Sequence, residues 1–183
     1  AQDGVIVESA YAGDIIGIHD PGIFNIGDTL CSNDLNLQYE GIPKFAPEHF
    51  MKISAVSALK RKQFIKGITQ LAEEGSVQVF KRYDIGTEEL IVGVVGVLQF
   101  DVLEYRLKNE YNVEIKMQPL PYRFIRFIEM DKFDPSEFRI TPDTMLVQTI
   151  NEDPAILFHY EWSIKQVKEN NPNAKLNEIS VEQ

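Results

Sequence analysis

Residues Leu90–Met117, LIVGVVGVLQFDVLEYRLKNEYNVEIKM, constrain this chain more than any other stretch, because their periodicity changes twice. The segment opens as an apolar β-type run (Ile91, Val92, Val94, Val95) and turns over the small residue Gly96. Phe100, Leu103, Leu107 and Tyr111 then recur at three- and four-residue spacing, which puts them on one face of an amphipathic helix. Asn112 suits the left-handed conformation that closes a helix. Beyond it Val113, Ile115 and Met117 alternate with Glu114 and Lys116, the pattern of a half-buried strand.

A similar unit precedes it. From His49 the chain reads as extended, with Met51, Ile53 and Ala55 on one face and Lys52 and Ser54 on the other. Ser57 is placed to cap a helix from Ala58 to Glu74, whose apolar stripe is Phe64, Ile68, Leu71 and Ala72 and whose stop is Gly75. Val77 and Val79 begin a second strand, and Asp84–Glu89 (DIGTEE) is a turn leading to Leu90. The order over 49–128 is strand, helix, strand, strand, helix, strand. That order predicts an α+β class and a ferredoxin-like βαββαβ domain, an antiparallel sheet with two helices on one face.

The flanks differ. In residues 1–35 the β-branched runs Val5–Val7 and Ile15–Ile18 are short and bounded by Gly13, Asp14, Asp20, Pro21 and Gly22. The prolines at 43 and 47 and the lack of periodicity mark a linker over 41–48. After the acidic, turn-rich DKFDPSEFRITP, Thr144–Ile150 reads as a strand. Asn151–Pro154 then reads as a turn or helix start, with Asp153 as cap and Pro154 at the first helical position, and Ile156, Leu157, Tyr160, Ile164 and Val167 recur at helical spacing. The expected domains are therefore 1–40, a linker at 41–48, and 49–183 with a C-terminal strand–helix extension.

Composition narrows the chemistry. No apolar run reaches the roughly 20 residues of a membrane-spanning helix, so no membrane partner is expected. The single cysteine, Cys31, cannot form an internal disulfide, which fits a reducing cytoplasm. The formal charge of -10 argues against a protein that coats nucleic acid broadly. That charge is uneven: residues 1–43 carry -7, residues 44–126 carry +3 and residues 127–183 carry -6. The middle segment is thus the face suited to RNA phosphates. Its candidates are Lys52, Lys60, Arg61, Lys62 and Lys66, with Lys62 and Lys66 one helical turn apart on the solvent side. Arg123 and Arg126, near the end of the fourth strand among Tyr122, Phe124 and Phe127, suggest a stacking-plus-phosphate surface. A solvated helix face and a strand core, respectively, are the competing readings.

No catalytic set emerges. Gly22–Thr29 (GIFNIGDT) has the outline of a phosphate loop, but Asp28 stands where lysine is required and the flanks read strand–turn–strand. His19, His49 and His159 are far apart and lack metal-ligand neighbours. Nothing beside Cys31 would activate a thiol. Glu73–Glu74 and Glu88–Glu89 sit where solvated charge is expected. Catalytic, cofactor and metal residues are accordingly expected to be absent.

The pieces AGDIIGIHDPGIFNIGDTLC, GIPKFAPEHF, LAEEGSVQVF and GVVGVLQFDVLEYRLKNEYNVE together resemble the translational GTPases, and within them the release factor 3 family. Val97 and Gln99 stand where elongation factor G carries a glutamate and a histidine. The resemblance implies that residues 1–40 are the last strands of a translation-factor β-barrel and that the remainder is the family's ferredoxin-like last domain. The start at Ala1 looks like a cut inside a longer protein. The family is implied to be cytoplasmic and ribosome-dependent, removing class I release factors after termination. GTP and Mg2+ would bind a missing N-terminal GTPase domain. This piece would then hold no cofactor and act as a docking and lever module toward small-subunit RNA and protein. Two alternatives stay open: the equivalent piece of a translocation or ribosome-protection GTPase, and a regulatory ferredoxin-like domain for a small ligand.

Overall fold

Alternation of apolar side chains decides which layers this sheet can join. The computed structural model describes residues 5–19, 21, 23–24, 27–32, 35, 37, 39, 45–83 and 89–179. Most of the expected turn at 84–89, Asp20 and Gly22 of the first turn, and residues 41–44 of the linker lie outside them. The chain divides into two units, Ala1–Gly41 and Ile42–Gln183.

In the first unit the described residues make local turns. Asp14 donates its amide to the Tyr11 carbonyl at 3.0 Å, and its carboxylate accepts the Tyr11 amide at 2.8 Å. The Tyr39 amide reaches Thr29 Oγ1 at 3.1 Å. Val5, Ile6 and Ile15 are exposed.

The second unit begins with β1 (His49–Ala55), α1 (Arg61–Glu73), β2 (Gln78–Arg82), β3 (Leu90–Val94), α2 (Leu98–Tyr111) and β4 (Ile115–Leu120). The strands lie in the order β4-β1-β3-β2 and every pairing is antiparallel. This is the ferredoxin-like split, with α1 and α2 on one face. Ile53, Val79, Leu90, Val92 and Val94 point to that face and pack on Phe64, Ile68 and Leu71 of α1 and Phe100, Leu103 and Leu107 of α2. Met51 and Ala55 join them as the spacing predicts. Pro119 sits in β4, the edge strand, where a missing N–H costs no ladder bond and discourages further pairing.

Three details of the sequence reading change. Ser57 makes no side-chain cap; its carbonyl accepts the Lys60 amide at 3.0 Å, so a 3-10 turn over Ala58–Lys60 opens the helix. The expected fourth strand does not run on to residue 128: it ends at Leu120, directly before Pro121. Phe124–Glu129 is a separate strand, β5. Asp153–Pro154 begins no helix: Pro154–Phe158 is β7, and α3 spans Glu161–Asn170. The continuous apolar run Ala155–Phe158 fits both periods, and burial on both faces selects the strand.

With β6 (Thr144–Thr149) and β8 (Lys175–Asn177), these strands extend the sheet through the β2–β6 pair to eight strands, ending β6-β7-β5-β8. Phe50, Phe80 and Ile91, on the face away from α1 and α2, share a cluster with Ile125, Phe127, Val147, Ala155 and Leu157. The two halves of the sheet therefore cover each other. The alternate residues of the second half, Ile128, Ile156 and Phe158, pack with Val167 of α3. Layers run α1/α2, first half-sheet, second half-sheet, α3.

Candidate functional site

The basic candidates start from α1. Phe64, Gly67, Ile68 and Leu71 are its buried residues, so Lys62 and Lys66, displaced by half a turn, are exposed on the opposite side. Neither makes an ion pair among the described residues. The helix has no acidic residue in its first turn, and Lys60, Arg61 and Lys62 crowd the end where the helix dipole is already positive. Each cation there opposes helix stability by about 0.3–1 kcal/mol. The result is a compact positive field at one helix end, with Lys60 half-buried and Arg61 exposed.

The other candidates do not join it. Lys52 shares the face of β1 opposite the helices and pairs with Glu89 at 3.3 Å. Arg123 is exposed just before β5, its amide held by the Phe158 carbonyl at 2.9 Å. Arg126 is only 17% exposed and pairs with Glu178 at 2.9 Å, while Nη1 donates to the Ile125 carbonyl at 2.7 Å. The flanking aromatics are core: Tyr122 packs on the inter-sheet cluster, Phe127 is part of it, and Phe124 lies on the α3 side. The two-residue alternation sends Phe124 and Phe127 to opposite faces of the strand.

Three hydrogen-bonded features hold the scaffold. Gln99 Oε1 accepts the amides of Val95 (3.1 Å) and Gly96 (2.9 Å), and Nε2 donates to the Ser76 carbonyl at 2.8 Å. Val97 makes no side-chain cap, and the amides of Gln99 and Phe100 are taken by the Gly96 and Val97 carbonyls at 3.0 and 3.1 Å. Asp143 accepts hydrogen bonds from Thr141 Oγ1 at 2.7 Å and from the fully buried Ser163, tying the start of β6 to α3. Burial disfavours its charge most, yet the Ser163 and Thr141 bonds, its own backbone amide and nearby His159 outweigh this and hold the carboxyl below its ordinary range. Arg106 bridges both helices, meeting Glu110 through Nε at 2.8 Å and Nη2 at 2.8 Å and Glu74 through Nη1. The Arg106 bonds lower the Glu110 carboxyl, although its small burial opposes the shift. Only the Arg106–Glu110 spacing of four residues was a local signal.

Among the described residues, clefts of about 170 Å³ and 110 Å³ are smaller than the roughly 300–1,000 Å³ of ligand pockets. Among the described residues no group of three or more His, Cys, Asp or Glu could hold a metal, and no helix is long and apolar enough to cross a membrane.

Comparison with known proteins bears on this geometry. Residues 39–168 match the family model described as class II release factor RF3, C-terminal domain. Peptide chain release factor 3 of Symbiobacterium thermophilum is 46% identical over 172 residues, covering 94% of this chain and 32% of that protein. The protein of the same name from Listeria welshimeri is 40% identical over 179 residues, covering 98% and 34%. That of Staphylococcus saprophyticus is 42% identical over 176 residues, covering 96% and 33%. The chain thus spans about a third of the length of these curated relatives.

Proposed function

Because the chain belongs to the class II release factor 3 family and matches its C-terminal domain, we propose that it is the ribosome-docking and lever module of a ribosome-dependent GTPase. In this reading the whole protein acts in the cytoplasm, stimulating the departure of class I release factors after termination. Its GTP and Mg2+ are held by an N-terminal domain of its own, and this piece carries no catalytic group. Residues 1–40 are the closing strands of a barrel whose other strands complete the pairing of Val5–Val7 and Ile15–Ile18.

The observation that carries the docking role is the outward face and first turn of α1. Lys62 and Lys66 are exposed and unpaired among the described residues, beside Lys60 and Arg61 at the positive helix end. Lysine placed against the helix dipole does not serve this helix, but it does serve an anionic partner, and ribosomal RNA phosphate is the partner that the family reading supplies. The layered core of the two half-sheets makes the domain stiff enough to pass a displacement from that contact to the rest of the protein.

To test this, Lys60, Arg61, Lys62 and Lys66 are changed together to glutamate in the full-length protein. Ribosome-stimulated GTP hydrolysis and release-factor recycling are expected to fall roughly tenfold or more at moderate salt, because every reversed charge removes a phosphate contact. Unchanged stimulation and recycling would show that this face is not the contact.

A further inference from the structure

Lys52 stands directly opposite Ile91 of β3 and Gln118 of β4, and Ile91 stands opposite Phe80 of β2. Residues so paired share a face of the sheet, and Arg82, two residues beyond Phe80, lies on that face too. It is the face turned toward the second half-sheet, where Ile91, Leu120 and Met145 belong to the inter-sheet cluster or pack against it. At the margin of that cluster the surface is concave. Ile91, Leu120 and Met145 supply the apolar part of a cleft of about 110 Å³, and Lys52, Arg82, Gln118 and Glu89 its polar part.

The polar part is biased toward donors. Lys52 and Arg82 can only donate, and the Gln118 amide adds two further N–H groups. Among the described lining residues Glu89 is the single carboxylate, and it meets Lys52 at 3.3 Å. The lining therefore stays net positive in a chain whose formal charge is -10. Lys52 and Arg82 are both half-buried, and the apolar floor beside them strengthens their pull on an anion relative to fully solvated cations. Size limits the anion. The cleft falls well short of the roughly 300 Å³ at which pockets for larger ligands begin, so it suits one phosphate ion and not a nucleotide. The planar fork of arginine matches two phosphate oxygens at once, lysine adds a point charge, and the amide donates to a further oxygen.

We propose that this cleft is a binding site for inorganic phosphate, held by Arg82, Lys52 and Gln118. Glu89 is the competing internal ligand: its carboxylate holds the Lys52 ammonium until the anion takes it over. Because the three donors come from β2, β1 and β4, the bound ion clips the first half-sheet together across its width. The site lies on the face of the sheet away from α1 and α2 and does not depend on the ribosome-docking reading.

The test titrates sodium phosphate into the isotope-labelled 183-residue chain at neutral pH, holding ionic strength constant with sodium chloride, and follows the amide resonances by NMR. Saturable shifts are expected for the backbone amides of Lys52 and Arg82 and the side-chain amide of Gln118. Lys52→Met and Arg82→Met should each weaken binding about tenfold or more, since each removes a charge-assisted hydrogen bond. Glu89→Gln should tighten it about threefold or more, because Lys52 is released to the anion. Dimethyl phosphate, which stands for the phosphodiester of RNA, is bulkier and carries a single charge, and it should leave these resonances in place. Unmoved resonances of Val92 and Ile125 in the core confirm that each variant is folded. If Arg82→Met disturbs them, Arg82→Lys, which keeps the charge and loses the fork, is expected to weaken binding as well. Shifts that rise without saturating, that centre on Lys60–Lys66 of α1, or that dimethyl phosphate reproduces overturn the proposal. So does an affinity indifferent to the loss of Lys52 and Arg82, or one that Glu89→Gln fails to raise.

Discussion

Gln99 and Asp143 each join segments that are distant in sequence through a few short hydrogen bonds. Gln99 receives two amides ahead of α2 and returns a bond to Ser76, 23 residues earlier. The amide group is needed because it accepts and donates at once. Asp143 is held by Thr141 and by Ser163, 20 residues on. Because its carboxyl lies below the ordinary range in the folded chain, its contribution is complete above the unfolded value of about 3.9 and is lost as pH falls through the folded value. We expect Asp143→Asn to be less stable than the parent by a margin that is constant from neutral pH to about pH 4 and shrinks below it. Urea unfolding of both proteins at a series of pH values checks this; a margin indifferent to pH down to 2 would contradict it. Neither role was legible in the sequence, since Ser76 and Ser163 are supplied only by the fold.

The two long helices meet where α1 has no side chain. A Cβ built on Gly67 would lie 2.8 Å from Leu107 Cδ2 and 2.8 Å from Tyr111 Cγ, so α1 and α2 approach closely at that point. Glycine inside a helix costs roughly 1 kcal/mol in propensity, and here it is retained because alanine does not fit. Gly67→Ala should therefore destabilise the domain by about 1–3 kcal/mol despite its better propensity, as overpacking does. A chemical-denaturation midpoint equal to or above that of the parent would show that the helices yield instead. The helix ends were readable: Asn112 adopts φ 54° and ψ 44° after α2, and Gly75, with φ 73°, ends α1 as expected. β7 was not readable as a strand. Its apolar residues touch the inter-sheet cluster on one side and the α3 cluster on the other, and only that double burial separates a strand from a helix.

At the scale of the domain, Phe80 stands at the junction of the two half-sheets. Its ring lies 6.4 Å from that of Phe50 in the first half and 6.5 Å from that of Phe127 in the second. β2, which carries it, pairs with β3 on one side and β6 on the other. Removing the ring opens a cavity that belongs to both halves. Phe80→Ala should cost about 3–5 kcal/mol, and unfolding should remain one transition because both halves lose packing together. Two separate transitions, followed by far-ultraviolet circular dichroism and by Trp162 fluorescence, would mean that the halves are independent.

By itself the sequence determined the ferredoxin-like half, because each of its elements carries a local period: β1 alternates, α1 and α2 repeat on one face, and Gly75 and Asn112 close the helices. It also determined the exposed cations of α1, since Lys62 and Lys66 follow from the position of the core stripe. Tertiary structure alone decided how the sheet grows to eight strands, that Lys52 meets Glu89, and why Arg126 is spent on Glu178. These depend on which layer covers each face, and coverage is set by segments far apart in the chain, whose contacts no local period encodes.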